Sequence, residues 1–385
     1  MRLAYLVKVA GLILWRSWRA TLVLSFMVIS AVAALVFLSA LAVGTNDAMI
    51  RNSTGLFSGH IAASMLGESD IPQLKTAGVE RVLIRRHQQV LLEKNGLLEP
   101  LVLIGVDPEQ EQEGTAFWKK TVAGRYPRAG EATLFLSQAT AKRLNLMVGD
   151  PVSLADPQGV VRKSLTVAGL YKTGITHLDQ GMAFCPTTAL PAGETELSAA
   201  VFLRDGIPPE TVVARYRTTL PAATFAAWPE FMPDLKQLID LDYICMAIVI
   251  ALVFAIVSVG ISCTFLIFTL KNLREHGIMK AMGLLGGDTA LLLVTQIGLL
   301  TVVAAAVGTL AGIATVAVFA QIGIDIGAFT SHNQYFSVSG MLYPRLTALA
   351  VATPPLVAVV FGLAAAIWPI VYIVRKNPAD ILRSV

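Results

Sequence analysis

The most distinctive arrangement of charged side chains lies in one short segment, residues 271–283, which reads Lys-Asn-Leu-Arg-Glu-His-Gly-Ile-Met-Lys-Ala-Met-Gly. Basic, acidic and apolar residues alternate along it. This alternation favours a short amphipathic helix, and Gly283 is a typical residue to end one. Such a helix can dock in the groove of a partner protein. The alternative interpretation is a solvated basic loop with no binding role.

The other polar residues do not assemble into a catalytic site. Glu109, Glu111 and Glu113 are predicted to form a solvated acidic patch. His177 and Asp179 lie close together in a loop flanked by glycines, which is weak support for a ligand site. No serine–histidine–aspartate set or pair of carboxylates can be assigned. We therefore predict that the chain is not an enzyme.

The composition predicts no cofactor or metal of the chain's own. Three cysteines are too few for a disulfide framework, and the five histidines lack the spacing of metal ligands. The glycine cluster Gly283–Gly287 lacks the lysine of a phosphate-binding loop. Any energy source would then be a separate polypeptide. The net charge of +4 is small and indicates no nucleic-acid partner.

The sequence contains four long apolar runs, and two of them flank the segment 271–283 and must position it. The runs are 20–43, 243–270, 289–321 and 346–374, in a sequence with 55% hydrophobic residues. Each is longer than the roughly 20 residues that cross a bilayer as a helix. None contains Asp, Glu, Lys, Arg or His. Ion- and proton-coupled transporters usually need such a group inside the membrane, so the runs argue against a secondary transporter.

Basic residues beside these runs predict the topology. They precede the first run, separate the second from the third and follow the fourth: Arg2, Lys8, Arg16, Arg19, Lys271, Arg274, Lys280, Arg375, Lys376 and Arg383. The loop between the third and fourth runs has only Arg345. By the positive-inside rule, both termini are cytoplasmic and the long block 44–242 lies outside.

The remaining segments follow from this topology. Residues 1–19 are predicted to be an amphipathic helix on the cytoplasmic surface, the alternative being a charged flank of the first span. The segment 271–288 is a cytoplasmic loop, 322–345 is a short outer loop and 375–385 is a cytoplasmic tail. An uncleaved first span is expected, although alanines at its end also fit the cleavage site of a signal peptide.

The outer block 44–242 is predicted to be an α+β domain. Short strands interrupted by turn residues are expected at 82–85, 90–92, 101–106, 131–136, 152–154 and 165–170, and a helix at 137–144. Helical spacing in 229–242 leads into the second run without a strong break. We expect this helix and the end of the first span to form a stalk that carries the domain.

Two features of the later spans predict how they pack. Ala304, Gly308 and Gly312 recur every four residues in the third span, and small residues at this spacing let membrane helices approach closely. The fourth span contains Pro354 and Pro355, which are expected to kink it or to open it locally.

The segment 271–283 resembles the signature of the FtsX-like permease family, which comprises the membrane subunits of mechanotransmitting ABC transporters. That signature reads roughly E-R-x-x-E-I-G-I-x-K/R-A-x-G. The matching positions are Glu275, Gly277, Ile278, Lys280, Ala281 and Gly283. The sequence departs from the signature at Lys271, Asn272 and His276. The C-terminal stretch 369–383 and parts of 124–169 are also similar to this family.

The resemblance implies a membrane α-helical fold with one large α+β extracytoplasmic domain between the first and second of four helices. It implies a bacterial inner-membrane location, a second copy of the chain or a related permease, and a dimer of cytoplasmic ATPases that bind ATP and Mg. The segment 271–288 would be the coupling loop. The residues that would contact the ATPase are Arg274, Glu275, His276, Gly277, Ile278, Met279, Lys280, Ala281 and Gly283.

Three functions remain open at this stage. The first is a permease subunit for export or extraction of a lipid, a lipoprotein or a hydrophobic molecule, with a periplasmic adaptor or lipoprotein and membrane lipid as further partners. The layout looks most similar to the lipoprotein-releasing branch, then to the macrolide-exporter branch. The second is a signalling scaffold that activates an outside partner such as a cell-wall hydrolase. The third, a membrane-anchored enzyme, lacks any motif.

Overall fold

The computed structural model describes residues 2–94, 96–156, 161–204, 206–271, 275, 278–279, 282, 285–326 and 341–374. The chain divides into two compact units. The membrane unit holds the described residues of 1–47, 239–325 and 341–385, and the core unit holds those of 48–238 and 326–340.

The helices and strands follow in chain order. The α-helices in the described residues are α1 (Arg2–Arg16), α2 (Trp18–Ser53), α3 (Pro108–Gly114), α4 (Gln138–Arg143), α5 (Thr176–Asp179), α6 (Pro209–Thr219), α7 (Trp228–Phe231), α8 (Pro233–Lys271), α9 (Gly286–Ile322) and α10 (Ala348–Val374). The strands there are β1 (Ile61–Leu66), β2 (Val79–Lys94), β3 (Leu97–Val106), β4 (Thr121–Gly124), β5 (Thr133–Ser137), β6 (Pro151–Ala155), β7 (Val161–Tyr171), β8 (Met182–Pro186), β9 (Glu196–Leu203), β10 (Thr224–Ala227), β11 (Ile324–Asp325) and β12 (Met341–Leu342).

Four helices are long and apolar enough to cross a membrane, and they correspond to the four predicted runs. Two of them continue well beyond the apolar runs, as expected for the first span and for the helix in 229–242. Helix α2 continues past Val43 to Ser53 and leads into a π-helical turn, Thr54–Ser58. Helix α8 begins at Pro233 and continues unbroken through the second run to Lys271. The predicted fold class, four membrane helices with a large α+β domain between the first two, is confirmed.

The small residues of α9 pack against α2, as the sequence predicts. Ala304 is 2% exposed. A Cβ atom built on Gly308 would lie 2.8 Å from the backbone oxygen of Ile29, and one built on Gly312 would lie 2.8 Å from the Cβ of Val36. These approaches leave no room for a side chain at either glycine. In α10 the helix runs through Pro354 and Pro355, so any local opening there does not end it.

Replacing Gly308 by alanine is expected to destabilise the membrane unit by about 1–3 kcal/mol, because the added methyl group would press on the α2 backbone. Gly298→Ala on the same helix is the matched control, since a Cβ there meets only Leu363 at an ordinary 3.6 Å. The measurement is the midpoint of thermal unfolding of each purified variant in detergent. Equal midpoints for the two variants would contradict the close approach of α9 to α2.

One mixed sheet of ten strands organises the core unit. The strand order is β10-β1-β9-β2-β3-β8-β5-β7-β4, and β6 pairs with both β2 and β7. The β3–β8 and β5–β7 pairs are parallel, and the others are antiparallel. Buried apolar side chains form separate clusters, one where α4 covers strands β5–β7 and one where α6 covers strands β1, β9 and β10.

The sequence interpretation of strand β2 needs one correction. Two strands were predicted, at 82–85 and 90–92, because polar residues separate the apolar runs. The structure has one strand, Val79–Lys94. It is continuous because the backbone of the polar stretch 87–89 still pairs with β3. The other predicted strands are present, and helix α4, Gln138–Arg143, forms where a helix was predicted.

Candidate functional site

The segment between α8 and α9 presents apolar side chains to solvent. The side chains of Ile278, Met282 and Leu285 are 45%, 76% and 73% exposed. The backbone N–H of Met282 donates to the carbonyl oxygen of Ile278 at 3.0 Å, which is a helical spacing. Exposed apolar residues on a short helical turn are typical of a surface that binds another protein.

Glu275 connects this segment to the end of α1. Its carboxylate Oε1 lies 3.2 Å from Nη1 of Arg16. The two side chains are 39% and 81% exposed, so the pair contributes at most about 1 kcal/mol to stability. Its consequence is positional, because it places the N-terminal helix beside the segment.

The structure describes three of the nine residues predicted to contact an ATPase: Glu275, Ile278 and Met279. Met279 is half-buried. The others lie outside the described residues: Arg274, His276, Gly277, Lys280, Ala281 and Gly283. The role of all nine stays a prediction.

A polar cluster connects α2, α8 and the residues that precede α10 in the membrane unit. The Asn46 amide donates to a carboxylate oxygen of Asp242 at 3.1 Å, which connects α2 to α8. Nε of Arg345 lies 2.6 Å from the Asp47 carboxylate, and its backbone N–H donates to Ala40 at 3.0 Å. This cluster was not predicted, since its members are distant along the chain. It fixes the residues that precede α10 against α2.

In the core unit, a buried ion pair holds the residues that continue from α2. Nε of Arg85 on β2 lies 2.6 Å from Oε1 of Glu111 on α3, and both side chains are less than 5% exposed. The Arg85 guanidinium also donates to the backbone oxygen of Phe57 at 2.8 Å and lies 3.6 Å from the centre of the Phe57 ring. The prediction that Glu111 belongs to a solvated acidic patch is therefore wrong.

The π-helical turn is anchored by aromatic packing as well. Phe57 contacts Phe117 and Phe184, with ring centroids 5.6 and 5.3 Å apart. Phe117 in turn packs against Phe135 and Tyr171. The π-helical turn after α2 is thus fixed to the sheet by the hydrogen bond from Arg85 to Phe57 and by an aromatic cluster, and Glu111 holds Arg85 in place. Displacing it would require most of these contacts to break.

A cavity of about 620 Å³ adjoins this anchored turn. Its walls are mostly apolar and include Leu56, Phe57 and Met182, together with the residues 231–235 that lead into α8. Polar side chains also line it, among them the charged groups of Arg85 and Asp234, several serine hydroxyls and His87, whose Nε2 lies 2.7 Å from the Ser198 hydroxyl. A mostly apolar cavity with polar groups in its wall suits the hydrophobic part of a ligand.

Burial lowers the pKa of His87, and the positive charge of Arg85 lowers it further, while Glu196 opposes the shift. The folded protein therefore favours neutral His87, and between its lowered pKa and the ordinary value of 6.5 the unfolded chain binds more protons. The contribution of neutral His87 to the free energy of unfolding should thus be fully present above pH 6.5 and be lost progressively as the pH falls below it. Thermal midpoints measured across this range should decline more for the wild type than for His87→Gln. Parallel pH profiles would contradict the assignment.

Of His177 and Asp179, which were noted in the sequence, Asp179 has a structural role. The Asp179 carboxylate accepts from the backbone N–H groups of Thr173 and Gly174, both at 2.9 Å, so it shapes a turn. The side chain of His177 is not among those that the structure describes. Cys185 is buried, and burial raises its pKa to about 12, which makes it an unreactive thiol.

Comparison with known proteins bears on the whole chain. The model of the FtsX-like permease C-terminal region matches residues 247–378, and the model of the MacB-like periplasmic core domain matches residues 21–219, more than half of the chain. The lipoprotein-releasing system transmembrane protein LolC of Neisseria meningitidis serogroup B is 23% identical over 212 residues, which cover 51% of each protein. The chain therefore spans about half the length of this curated relative.

Solved structures also show similarity. The periplasmic region of MacB from Actinobacillus actinomycetemcomitans has a TM-score of 0.32 at 10% identity, and the alignment covers 50% of this chain and 97% of that one. The extracellular domain of the noncanonic ABC-type transporter YknZ from Gram-positive bacteria has a TM-score of 0.29 at 14% identity, covering 42% and 89%. The two family matches, with the four membrane helices in the expected order, confirm the resemblance found in the sequence: the chain belongs to the FtsX-like permease family and carries a MacB-like periplasmic core domain.

Proposed function

We propose that this chain is the non-catalytic membrane subunit of an ABC transporter of the bacterial inner membrane. A cytoplasmic ATPase dimer, which binds ATP and Mg, would dock on the exposed residues Ile278 and Met282 between α8 and α9. The observation that carries this proposal is the apolar exposed turn in a chain of the permease family. Both termini would be cytoplasmic and the core unit would lie outside.

Helix α8 is the element best suited to transmit ATP-driven movement. It is one unbroken helix from Pro233 to Lys271, along which a displacement at its C-terminal end would be transmitted. Its first residues belong to the core unit and its last to the membrane unit. Apolar runs without Asp, Glu, Lys, Arg or His fit a mechanism in which the substrate does not cross the bilayer through a polar tunnel.

For the substrate, we propose a lipid, a lipoprotein or another hydrophobic molecule. The relative from Neisseria meningitidis is named as part of a lipoprotein-releasing system, which favours this class. The apolar cavity beside Phe57 and His87 is the site where the hydrophobic part would bind. A second copy of the chain or a related permease would complete the membrane part, and a periplasmic adaptor or lipoprotein would be a further partner.

The charge-free spans also fit a second function, an ATP-driven signalling scaffold that activates an outside partner such as a cell-wall hydrolase. Purification of the tagged chain in detergent, after expression with its neighbouring genes, tests both. An ATPase at one-to-one stoichiometry is expected in either case. Bound lipid or lipoprotein supports transport, and a co-purified hydrolase supports signalling. A chain that purifies without any ATPase would contradict the proposed function.

A further inference from the structure

A break in the pairing of strand β2 opens onto a large cleft of the core unit. The pairing of β2 with β9 ends at His87, opposite Glu196, and its pairing with β6 begins at Leu91, opposite Ala155. Both partners lie on the same side of β2, because β3 occupies the other side. Among the described strands, none pairs with residues 88–90 on that side.

The open stretch of β2 has the chemistry of a strand edge. In an antiparallel ladder, alternate residues direct both N–H and C=O to the same side, so at least one of residues 88–90 directs both groups toward the break. Three residues of a strand span about 10 Å. Unpaired strand edges are sites where an extended peptide adds by backbone hydrogen bonding.

The cleft beside this edge has a volume of about 1070 Å³ and an acidic lining. Three carboxylates contribute to it, from Asp156, Glu194 and Glu196. No lysine or arginine occurs among the lining residues that the structure describes. His87, the remaining titratable group in this lining, has a lowered pKa and adds no positive charge near neutral pH. The cleft therefore complements a cationic ligand.

Gln88 gives an independent indication of a ligand. The residue is only 9% exposed, and its Oε1 atom has no hydrogen-bond partner within the described part of the chain. Gln88 lines the cleft. Buried acceptors in native proteins are nearly always satisfied, and an N–H donor of a bound molecule would satisfy this one.

We propose that the cleft binds an extended segment of a partner polypeptide that carries a lysine or an arginine. The segment would pair with the backbone of residues 88–90 and donate to Gln88. Its cationic side chain would lie near Glu194 and Glu196. A peptide fits better than a small cation, because β2 offers backbone donors and acceptors as well as negative charge. This site does not rest on ATPase coupling, so either proposal can fail alone.

The test uses the full chain in detergent and a fluorescent acetylated peptide of alternating valine and lysine. Fluorescence anisotropy should show saturable binding that weakens at high ionic strength. The same peptide with glutamate in place of lysine should bind at least tenfold more weakly. A version with N-methylated backbone amides, which cannot donate to β2, should show a comparable loss. Saturation by the glutamate peptide at equal affinity would overturn the proposal.

Variants identify the site. Glu194→Gln combined with Glu196→Gln should weaken lysine-peptide binding about fivefold, because both side chains are exposed and each contact is modest. Glu210→Gln, which changes an exposed carboxylate on α6, is the matched control and should leave binding unchanged. Gln88→Met should also weaken binding, with its thermal midpoint recorded to verify folding. Unchanged affinity in the double variant, or displacement of the peptide by equimolar spermidine, would overturn the proposal.

Discussion

Replacing Glu111 by alanine is expected to destabilise the core unit by about 3–5 kcal/mol, because the variant leaves the Arg85 guanidinium buried without its counter-charge. The loss should appear as a large drop in the midpoint of thermal unfolding. Limited proteolysis should also cut near Phe57, whose backbone oxygen Arg85 holds. The change is a large fraction of the stability of a typical domain, which is about 5–15 kcal/mol.

A second pair on the same helix provides the control. Glu113 lies 3.7 Å from Arg81, and its side chain is 75% exposed, so Glu113→Ala should cost less than about 1 kcal/mol. The double variant Arg85→Met with Glu111→Leu should recover much of the lost stability, because it removes both buried charges together. Equal midpoints for Glu111→Ala and Glu113→Ala would contradict the account of the buried pair.

The second large effect is expected at the exposed turn between α8 and α9. Ile278→Asp combined with Met282→Asp should reduce the amount of co-purified ATPase at least tenfold, because it places two charges in a surface that we propose is buried by the partner. Deletion of residues 276–279 should do the same. Membrane insertion should be unchanged in both variants, since the four spans are intact.

Two further variants make this prediction specific. Met147→Asp changes an equally exposed methionine of the core unit, at 70% exposure, and should leave the ATPase bound. Glu275→Lys should uncouple ATP hydrolysis from function. If Glu275 acts only through Arg16, the exchange Arg16→Glu with Glu275→Lys should restore coupling. Full activity and full ATPase association in Glu275→Lys and in the deletion variant would show that the coupling assignment is wrong.

The membrane part of the fold could be predicted largely from the sequence. The length and apolar character of the runs defined the four spans, and the small residues around Gly308 marked a real helix contact. These signals are local, because a bilayer dictates the length and polarity of each span independently of its neighbours. The continuation of both helices beyond the apolar runs was predicted from helical spacing, but their end points at Ser53 and Pro233 were not, since helices outside the hydrocarbon core need no apolar run.

The contacts that position the candidate site in the core unit were not predictable. Glu111 alternates with two other glutamates in an acidic stretch, and only the distant Arg85 makes it a buried residue. Likewise, Gln88 belongs to a polar stretch that breaks the apolar pattern of β2, although its backbone pairs with β3. Both cases depend on residues far apart in sequence, which periodicity does not detect. The exposed turn at Ile278 was found because its signal is a local motif.

The most direct test of the central claim is the distance between the two units with and without ATP. Spin labels on Cys263, which is exposed, and on an introduced Met147→Cys would report it by pulsed electron paramagnetic resonance. Cys245 would be replaced by serine, and labelled chains diluted with unlabelled ones. With the ATPase assembled, ATP should shift the distance distribution, and Ile278→Asp with Met282→Asp should abolish the shift. An unchanged distribution while the assembled complex hydrolyses ATP would contradict ATP-driven movement of the core unit.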